Sequence, residues 1–330
     1  MFTWIKHAIG HAVAPCVAGL LALTASLAHA QTYPAKPVRI VVPFPPGGPS
    51  DYAARVIAQK LPEYLGQPVI VDNRPGASGT TGAEQVARAA PDGTTVCIAN
   101  TGMLTVLPHL QAKMPYDPFK DFTPIANLIG GPSFLLVHPS IPAQNLKELI
   151  ALAKKRPGEL TYASAGVGQI SHMNGELMKL LAGIDVLQVP YKGTGLIMPE
   201  LIGGQVSMTF STSIDTLQFV KAGRANLLAV TGKQRLPMVP GTPTMEEAGL
   251  PGFESLNWNG LVGPANIPRD VLTRLNREIA RALNAPDVKD KIIAQGNFVI
   301  GDTPEQFTAY IRSEYDKWGS VVKQANIRLD

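Results

Sequence analysis

The chain has 330 residues, of which 45% are hydrophobic, and 29 basic residues against 25 acidic ones give it a formal net charge of +4. This length allows about two domains with cores of their own. The basic residues are scattered, which argues against nucleic-acid binding, because that function needs clustered Lys and Arg. Residues 154–156 are the one basic run and are predicted to be a solvated helix end.

The first thirty residues have the pattern of a secretory signal peptide. Lys6 precedes an apolar stretch from about residue 12 to 27, and Ala28, His29 and Ala30 form a small-x-small cleavage site. We expect cleavage after Ala30 and a periplasmic location. The alternative, a retained membrane anchor, is disfavoured because the stretch is shorter than a spanning helix requires. The mature chain would keep Cys97 alone, which excludes an intramolecular disulfide.

The first predicted strand of the mature chain leads into a glycine turn. Residues 43–51 read PFPPGGPSD, between the apolar run Val38–Val42 and a helical pattern. Adjacent glycines allow close backbone approach, and the free amides of a helix N-terminus favour an anion. Similar turns follow at 74–82 (RPGASGTTG) and 164–172 (SAGVGQISH). Three such turns predict a cleft that binds a small anion through backbone amides.

Short apolar runs alternate with helical patterns along most of the chain. Strands are predicted at 38–42, 69–71, 95–99, 134–137, 160–163, 186–189, 206–210 and 227–230. Amphipathic helices are predicted between them, for example around Val56 and around Leu149. Two long helices at 269–283 and 304–323 flank a short strand at 298–300. This alternation predicts an α/β fold with mainly parallel sheets covered by helices.

The predicted domain boundaries fall in segments rich in Pro and Gly. Residues 108–124 are predicted to be an extended surface passage, and residues 237–251 form a second such stretch before a return strand at 258–264. We therefore predict lobe one at 31–130 plus 254–330 and lobe two at 131–253. Because the chain would cross twice between the lobes, the cleft between them could close by a hinge motion.

No catalytic or metal-binding motif accompanies these turns. The histidines left after processing, His109, His138 and His172, are far apart and lack metal-ligand spacing. His138 is predicted to be structural, whereas His172 is either a ligand-site residue or a structural hydrogen-bonding group at the third turn. Ser78 lacks the strand that a nucleophile elbow needs, and neither a P-loop nor a complete G-x-G-x-x-G is present. We predict a non-enzymatic protein without cofactor or metal.

The glycine turns also have a purely local explanation. Any strand–turn–helix connection uses Gly and Pro for its geometry. Ser50 and Asp51 could cap the following helix without contacting a ligand. Asp51 would repel an anion unless its carboxylate is turned away. A binding role and a structural role therefore both remain open for PFPPGGPSD at this point.

A resemblance to a known family rests on motifs from one end of the mature chain to the other. They include YPAKPVRIVVPFPPGGPSD, VIVDNRPGASGTTG, MPYDPFKDFTPIA, LTYASAGVGQISHMNGELM, VPYKGTG, GLVGPANIP and TPEQFTAYIRSEYDKW. The chain resembles the substrate-binding proteins of tripartite tricarboxylate transporters, also called the Bug family. The resemblance implies a two-lobed type II periplasmic-binding-protein fold, a carboxylate in the cleft, and delivery to membrane permease subunits by a protein that is expected to be a monomer.

The resemblance also assigns ligand-binding positions. On lobe one these are Phe44, Gly47, Gly48 and Ser50, and on lobe two they are Ser164, Ala165, Gly166, Gly168 and His172. Asn100, Thr101 and Ser211, at strand ends, are expected to line the far side of the cleft.

Several positions depart from the family pattern. Leu196 stands where proline is usual, Ser207 replaces a frequent aspartate, and Ser78 replaces a glycine in RPGASG. These changes leave the predicted carboxylate anchor intact but bear on the distal part of the ligand. A role as the sensing partner of a signalling receptor is an alternative to transport, because both need the same cleft. A hydrolase is a third hypothesis, which the missing elbow motif disfavours.

Overall fold

The computed structural model describes residues 33–328 of the chain. The signal-peptide prediction and Cys16 lie outside the described residues. Residues 36–328 belong to one compact unit.

Strands alternate with helices through most of this unit. The strands are β1 Val38–Val42, β2 Val69–Asn73, β3 Thr95–Asn100, β4 Phe122–Val137, β5 Thr161–Ser164, β6 Leu187–Pro190, β7 Met208–Thr212, β8 Asn226–Val230, β9 Leu256–Pro264 and β10 Phe298–Val299. The helices are α1 Pro49–Ala58, α2 Leu61–Leu65, α3 Thr80–Ala87, α4 Leu107–Leu110, α5 Leu146–Lys155, α6 Ile170–Ala182, α7 Ile197–Ile202, α8 Ser213–Lys221, α9 Arg269–Leu283, α10 Pro286–Ala294 and α11 Pro304–Gln324. Short 3₁₀ turns occur at Ala77–Gly79 and Thr194–Leu196, and a π-helical turn at Gly102–Val106 leads into α4.

The strands form one sheet in the order β2-β1-β3-β9-β4-β7-β5-β6, with β8 and β10 paired to β4. The sheet has two halves. The first half contains β1, β2, β3, β9, β10 and the Phe122–Pro132 part of β4, and the second half contains Ser133–Val137 and β5 to β8. Within the first half β1 pairs in parallel with β2 and β3, and within the second half β5 pairs in parallel with β6 and β7.

The α/β class predicted from the alternation is confirmed, and the sheet is mixed. Every antiparallel pair among the described strands involves β4, which runs through both halves, or β9, its neighbour in the first half. The prediction of a strand at 134–137 was too short, because β4 already begins at Phe122. Residues 122–124 were predicted to belong to an extended surface passage, but β9 pairs with this part of β4 across two register shifts.

Separate hydrophobic clusters support the two halves of the sheet. In the first half Val41, Cys97, Trp258 and Phe307 pack together, with the Trp258 and Phe307 rings edge to face at 5.5 Å. In the second half one face is packed around Leu135, Tyr162 and Phe210, and the other around Phe134 and Ile197. The sheet halves thus have cores of their own, while the predicted lobe boundaries at 130–131 and 253–254 stay a prediction.

Candidate functional site

A cavity of about 650 Å³ lies where loops from both halves of the sheet meet. Its wall includes residues at or just beyond the carboxyl ends of β1, β3, β5 and β7. Ligands of open α/β sheets gather at this edge. Of the sequence-predicted site residues, the following line the cavity: Phe44, Gly47, Gly48, Ser50, Asn100, Ala165 and Ser211.

The other predicted site residues are not in the cavity wall but lie next to residues that are. They are Thr101, Ser164, Gly166, Gly168 and His172. The Ser164 hydroxyl accepts a hydrogen bond from Gln188 Nε2 at 2.7 Å, and the Thr101 hydroxyl is buried without a partner among the described residues. These residues lie outside the cavity wall and next to residues that form it. Their contact with a ligand stays a prediction.

The loop of residues 44–50 is locked by a buried carboxylate. Gly47 adopts a φ of +87°, and its amide donates to Asp51 Oδ2 at 2.9 Å. Arg55 Nε and Asn73 Nδ2 donate to the same carboxylate at 2.8 and 3.0 Å. Burial opposes the charge on Asp51, but the hydrogen bonds from Arg55, Gly47 and Asn73 outweigh it and lower the pKa. The Asp51 carboxylate is thus occupied by hydrogen bonds and paired with Arg55. Because Arg55 balances its charge, Asp51 does not argue against an anion in the cavity.

Neither Ser50 nor Asp51 caps α1, although the sequence allowed that explanation. The helix has Gly48 at its N-cap with no side-chain cap, and Pro49 fills its first position. The Ser50 hydroxyl instead donates to Asn259 Oδ1 at 2.7 Å, in the strand β9. The N-terminal end of α1 therefore reaches the cavity wall at Gly48, Pro49 and Ser50, where no side chain caps it.

The loop of residues 164–172 is locked by neutral groups. The Ala165 amide donates to Ser171 Oγ at 2.9 Å, and the Gly168 amide donates to His172 Nδ1 at 3.1 Å. Burial lowers the pKa of His172 to about 4, so the ring is neutral at pH 7 and can accept this bond. His172 Nε2 is 3.9 Å from Glu176 Oε1. The structural alternative considered for His172 accounts for these contacts.

The electrostatic character of the cavity follows from these two loops. The amides of Gly47, Ala165 and Gly168 already donate to side chains, whereas the first turns of α1 and α6 carry backbone amides that have no acceptor within their own helix and can donate to a ligand. Both helices direct their positive dipole ends toward the cavity. Among the described residues, no Asp or Glu lines the wall. The site therefore favours an anion without offering it a fixed ion pair at either helix end.

The glycine turn at 74–82 acts indirectly, since none of its residues is in the cavity wall. Gly79 leaves room for Phe44, because a β-carbon at position 79 would lie 2.9 Å from Phe44 Cζ. Ser78 has a φ of 56°, a left-handed conformation that glycine adopts more easily. Its carbonyl oxygen accepts a hydrogen bond from Gln169 Nε2 at 3.2 Å. This contact joins the turn to the loop at 164–172.

Sequence reasoning missed several residues of the cavity wall. Lys192 and Thr194 come from the segment between β6 and α7, which also contributes Leu196, a position that the sequence had linked to the distal part of the ligand. Its K-G-T-G pattern was a detectable signal, because glycines around a lone lysine mark a turn that can approach a ligand. Ser133 and Asn257 come from the paired strands β4 and β9. Nothing local in the sequence marks them, because their position depends on strand pairing.

A second cavity, of about 700 Å³, is lined by Pro132, Leu256 and Phe298 among others. Pro132 and Leu256 are paired neighbours in β4 and β9. Its cationic side chains are already neutralised, since Lys233 pairs with Glu254 at 3.2 Å and Arg235 with Glu247 at 2.7 Å. It contains none of the predicted site residues. The smaller cavity is therefore the better candidate for ligand binding.

Over residues 33–328, no group of His, Cys, Asp and Glu is arranged to hold a metal ion. Cys97, the free cysteine of this part, is buried, and burial raises the pKa of its thiol. In the same part of the chain, no helix combines the length and the apolar character that crossing a bilayer requires.

Comparison with known proteins identifies the family. Residues 53–327 match the tripartite tricarboxylate transporter family receptor model, and the chain belongs to this family. A curated relative, the protein BugT of Bordetella pertussis, is 35% identical over 317 residues, which are 95% of this chain and 97% of BugT. The Bug-family resemblance seen in the sequence is thereby confirmed.

Solved structures of similar proteins confirm the two-lobed periplasmic-binding-protein fold. The periplasmic binding protein BugD is 34% identical, with a TM-score of 0.83 over 90% of this chain and all of BugD. Rpa4515 of R. palustris, solved with adipate, is 34% identical, with a TM-score of 0.85 over 90% of this chain and all of its own. MatC of Rhodopseudomonas palustris, solved with malate, is 34% identical, with a TM-score of 0.82 over 88% of this chain and all of its own. The protein is a solute-binding receptor of this periplasmic family.

Proposed function

We propose that the protein captures a small organic carboxylate in the cavity between its two lobes and delivers it to the membrane subunits of a tripartite tricarboxylate-type transporter. Capture would occur by closure of lobe 131–253 onto lobe 31–130 plus 254–330. The protein would act in the periplasm as a monomer, after cleavage of the signal peptide behind Ala30.

One observation carries the proposal. The N-terminal ends of α1 and α6, from different halves of the sheet, reach the same cavity, whose wall has no acidic side chain among the described residues. A carboxylate placed between them would accept hydrogen bonds from both first turns. Because the donors come from the two lobes, the bound anion would also stabilise the closed arrangement.

The contacts across the cavity support closure around a ligand. A β-carbon at Gly48 would lie 3.6 Å from Thr194 Oγ1, and one at Gly193 would lie 4.0 Å from Pro45 Cγ. Gln169 Nε2 also donates to the carbonyl of Ser78. Loops of the two predicted lobes are therefore within van der Waals reach on either side of the cavity. The adipate and malate found with the two R. palustris relatives are ligands of the proposed chemical class.

A thermal-shift screen of the mature protein tests the carboxylate. The panel contains mono-, di- and tricarboxylates together with the amides of the same acids. A ligand that binds only the folded protein raises its stability by about 2.7 kcal/mol at a hundred times its Kd. We expect at least one acid to raise the melting temperature and its amide to have no effect. No response to any acid, after unfolding and refolding to remove co-purified ligand, contradicts the proposal.

Delivery to a transporter is tested separately. Cells that lack the gene for this protein should lose uptake of the radiolabelled acid found in the screen, and expression of the protein should restore it. If uptake persists without the protein while the purified protein still binds the acid, the sensing hypothesis replaces transport. The proposed lack of catalysis requires that the acid be recovered unchanged after incubation with the protein.

A further inference from the structure

The second cavity lies on the opposite face of two strands that contribute to the wall of the first. In β4, Ser133 lines the first cavity and Pro132 lines the second, and in β9 the same holds for Asn257 and Leu256. Successive side chains of a strand point to opposite faces of its sheet. Pro132 and Leu256 are paired neighbours, so they share one face. The two cavities are therefore separated by β4 and β9.

The second cavity, like the first, is formed by both halves of the sheet. Leu236 and Met238 belong to the segment after β8, in the second half, whereas Ile293 and Phe298 belong to α10 and β10, in the first half. The two sides touch next to the cavity, since a β-carbon at Gly296 would lie 2.5 Å from Met238 Sδ. A molecule in this cavity would therefore contact both halves of the sheet.

A hinge motion about β4 and β9 would change the two cavities in opposite directions. Bending these strands toward the first cavity brings its loops together and moves the segments on the other face apart. The structure has this combination, because a β-carbon at Gly48 would lie only 3.6 Å from Thr194 Oγ1 across the first cavity, while the second cavity measures about 700 Å³. A molecule that fills the second cavity should therefore favour closure of the first.

The wall of the second cavity indicates what kind of molecule would fill it. Ile293 and Phe298 are 53% and 41% exposed, and such apolar surface gains free energy when hydrocarbon covers it. The charged side chains of the wall, Lys233, Arg235 and Glu254, are already in ion pairs, so a charged ligand would be desolvated without gaining a partner. The volume suits a drug-sized molecule. The occupant should therefore be small, uncharged and mainly apolar.

We propose that the second cavity is an effector site for an uncharged, mainly apolar small molecule, and that its occupation raises the affinity of the first cavity for a carboxylate. The coupling rests on the proposed function, since it requires a carboxylate that closes the first cavity, whereas binding at the second cavity does not. Because the coupling is reciprocal, the carboxylate must raise the affinity for the effector by the same factor.

The probe that tests this site on the mature protein is N-phenyl-1-naphthylamine, an uncharged aromatic fluorophore. Its fluorescence should rise saturably with the wild type. Ile293→Asp puts a carboxylate into the apolar wall and should weaken probe binding about tenfold or more. Ile70→Asp is the matched control, because Ile70 is 52% exposed and lies in β2, outside both cavities, and it should change probe binding less than about twofold. Urea unfolding checks that both variants fold.

Titration calorimetry tests the coupling with the acid that gives the largest shift in the thermal screen. Saturating probe should tighten the binding of this acid to the wild type about fivefold or more, and saturating acid should tighten probe binding by the same factor. At the same probe concentration, the acid affinity of Ile293→Asp should change less than that of the wild type, whereas Ile70→Asp should respond like the wild type.

The remaining outcomes overturn the inference. If the probe does not bind saturably, or binds Ile293→Asp as tightly as the wild type, the second cavity is not its site. If the acid displaces the probe, the probe occupies the first cavity, and if the two bind independently, the cavities are not coupled. A dimer that Ile293→Asp dissociates would show that a second copy of the chain covers this cavity. If no acid binds at all, the proposed function fails along with the coupling, whereas the probe titrations still decide the effector site.

Discussion

Two loops bring helix ends to the cavity, and different kinds of side chain hold the backbone amides of each loop. In the loop at 44–50, the Gly47 amide is held by the charged Asp51, which is paired with Arg55. In the loop at 164–172, the amides of Ala165 and Gly168 donate to the neutral side chains of Ser171 and His172. In both loops the first turn of the following helix supplies the acceptor. Each loop is therefore kept rigid by its own helix, and the helix ends stay open to a ligand.

The difference matters for the electrostatics of the cavity. A carboxylate can be tolerated behind the first loop because Arg55, half-exposed at the surface, balances its charge. The second loop has no such arginine, and burial keeps His172 uncharged at pH 7. Neither loop then places an unbalanced charge behind the cavity wall. The side chains that hold the loop amides are therefore different from the backbone groups that would bind the anion. Substitutions can change loop stability and anion affinity independently.

Gly48→Val should have the largest effect, and its main effect should be on ligand binding. The side chain would enter the space between Gly48 and Thr194, where a β-carbon already lies 3.6 Å from Thr194 Oγ1. We expect carboxylate affinity to fall on the order of a hundredfold, because the γ-methyl groups occupy space next to the helix end. Gly48 has an ordinary φ of −85°, so the stability loss should stay within about 1 kcal/mol.

The control for this variant is Gly241→Val, because a β-carbon at Gly241 would point into open space, with no heavy atom of another segment within 4 Å. Calorimetric titration with the best acid from the screen measures both variants. Wild-type affinity in Gly48→Val would mean that the first loop is not part of the binding site.

Asp51→Ala should be the most destabilising change in either loop. It removes a carboxylate that is 4% exposed and leaves the Gly47 amide and Arg55 without their acceptor. We expect the free energy of unfolding to fall by about 2 to 3 kcal/mol. Glu84→Ala is the matched control, since Glu84 forms an exposed pair with Arg88 at the same i,i+4 spacing. It should cost less than about 0.5 kcal/mol in urea unfolding at pH 7.

The Asp51 contribution should also depend on pH. Its pKa is lowered in the folded protein from 3.8, so its stabilising effect is present above that pH and is lost as the pH falls through the folded value. The difference between wild type and Asp51→Ala should thus be constant from about pH 5 to 8. A difference that is already shrinking at about pH 6 would contradict a charged, hydrogen-bonded Asp51.

His172→Gln should affect stability in acid more than at pH 7. The unfolded protein binds a proton at the histidine near pH 6.5 and the folded protein only at about 4. The unfolded state therefore binds more protons in this window, and the wild type loses stability as the pH falls. The loss due to His172 should be about 2 kcal/mol between pH 7 and 5. It should be absent in His172→Gln, whose side-chain oxygen can still accept the Gly168 amide.

Urea unfolding at both pH values, with His138→Gln as the control, measures this contribution. His138 is partly exposed and bonds to Ser140 rather than to either loop. The same pH-dependent loss in His172→Gln and in the wild type would show that the ring does not stay neutral in the folded protein.

Ser171→Ala should have the smallest effect. It removes one neutral acceptor, from the Ala165 amide, at a residue that is 4% exposed. We expect a loss of about 1 kcal/mol. Ser140→Ala removes an exposed hydroxyl and should cost less than this. A loss for Ser171→Ala as large as that for Asp51→Ala would contradict the contrast between the charged loop and the neutral loop.

The sequence-based predictions succeeded where an element depends on residues close together in the chain and failed where it depends on pairing with a distant segment. Strand β1 and helix α9 have the predicted bounds, Val38–Val42 and Arg269–Leu283, because each has a clear apolar pattern between recognisable ends. Strand β4 was predicted as its last four residues only. Its first part contains Pro124, Gly130 and Pro132 and is a strand because β9 pairs with it. Helix α10, Pro286–Ala294, was missed as well.

The sequence by itself determined the strand–turn–helix junctions at 43–51 and 164–172, because turn geometry and helix ends depend on neighbouring residues. It also carried the family resemblance that the comparisons confirm. Only the tertiary structure decided which groups face the cavity. Asp51 and His172 hold backbone amides outside the cavity wall, Ser171 holds an amide and also lines the wall, and Lys192, Ser133 and Asn257 line it as well. The positions of Ser133 and Asn257 depend on strand pairing between segments far apart in the chain, for which no local pattern exists.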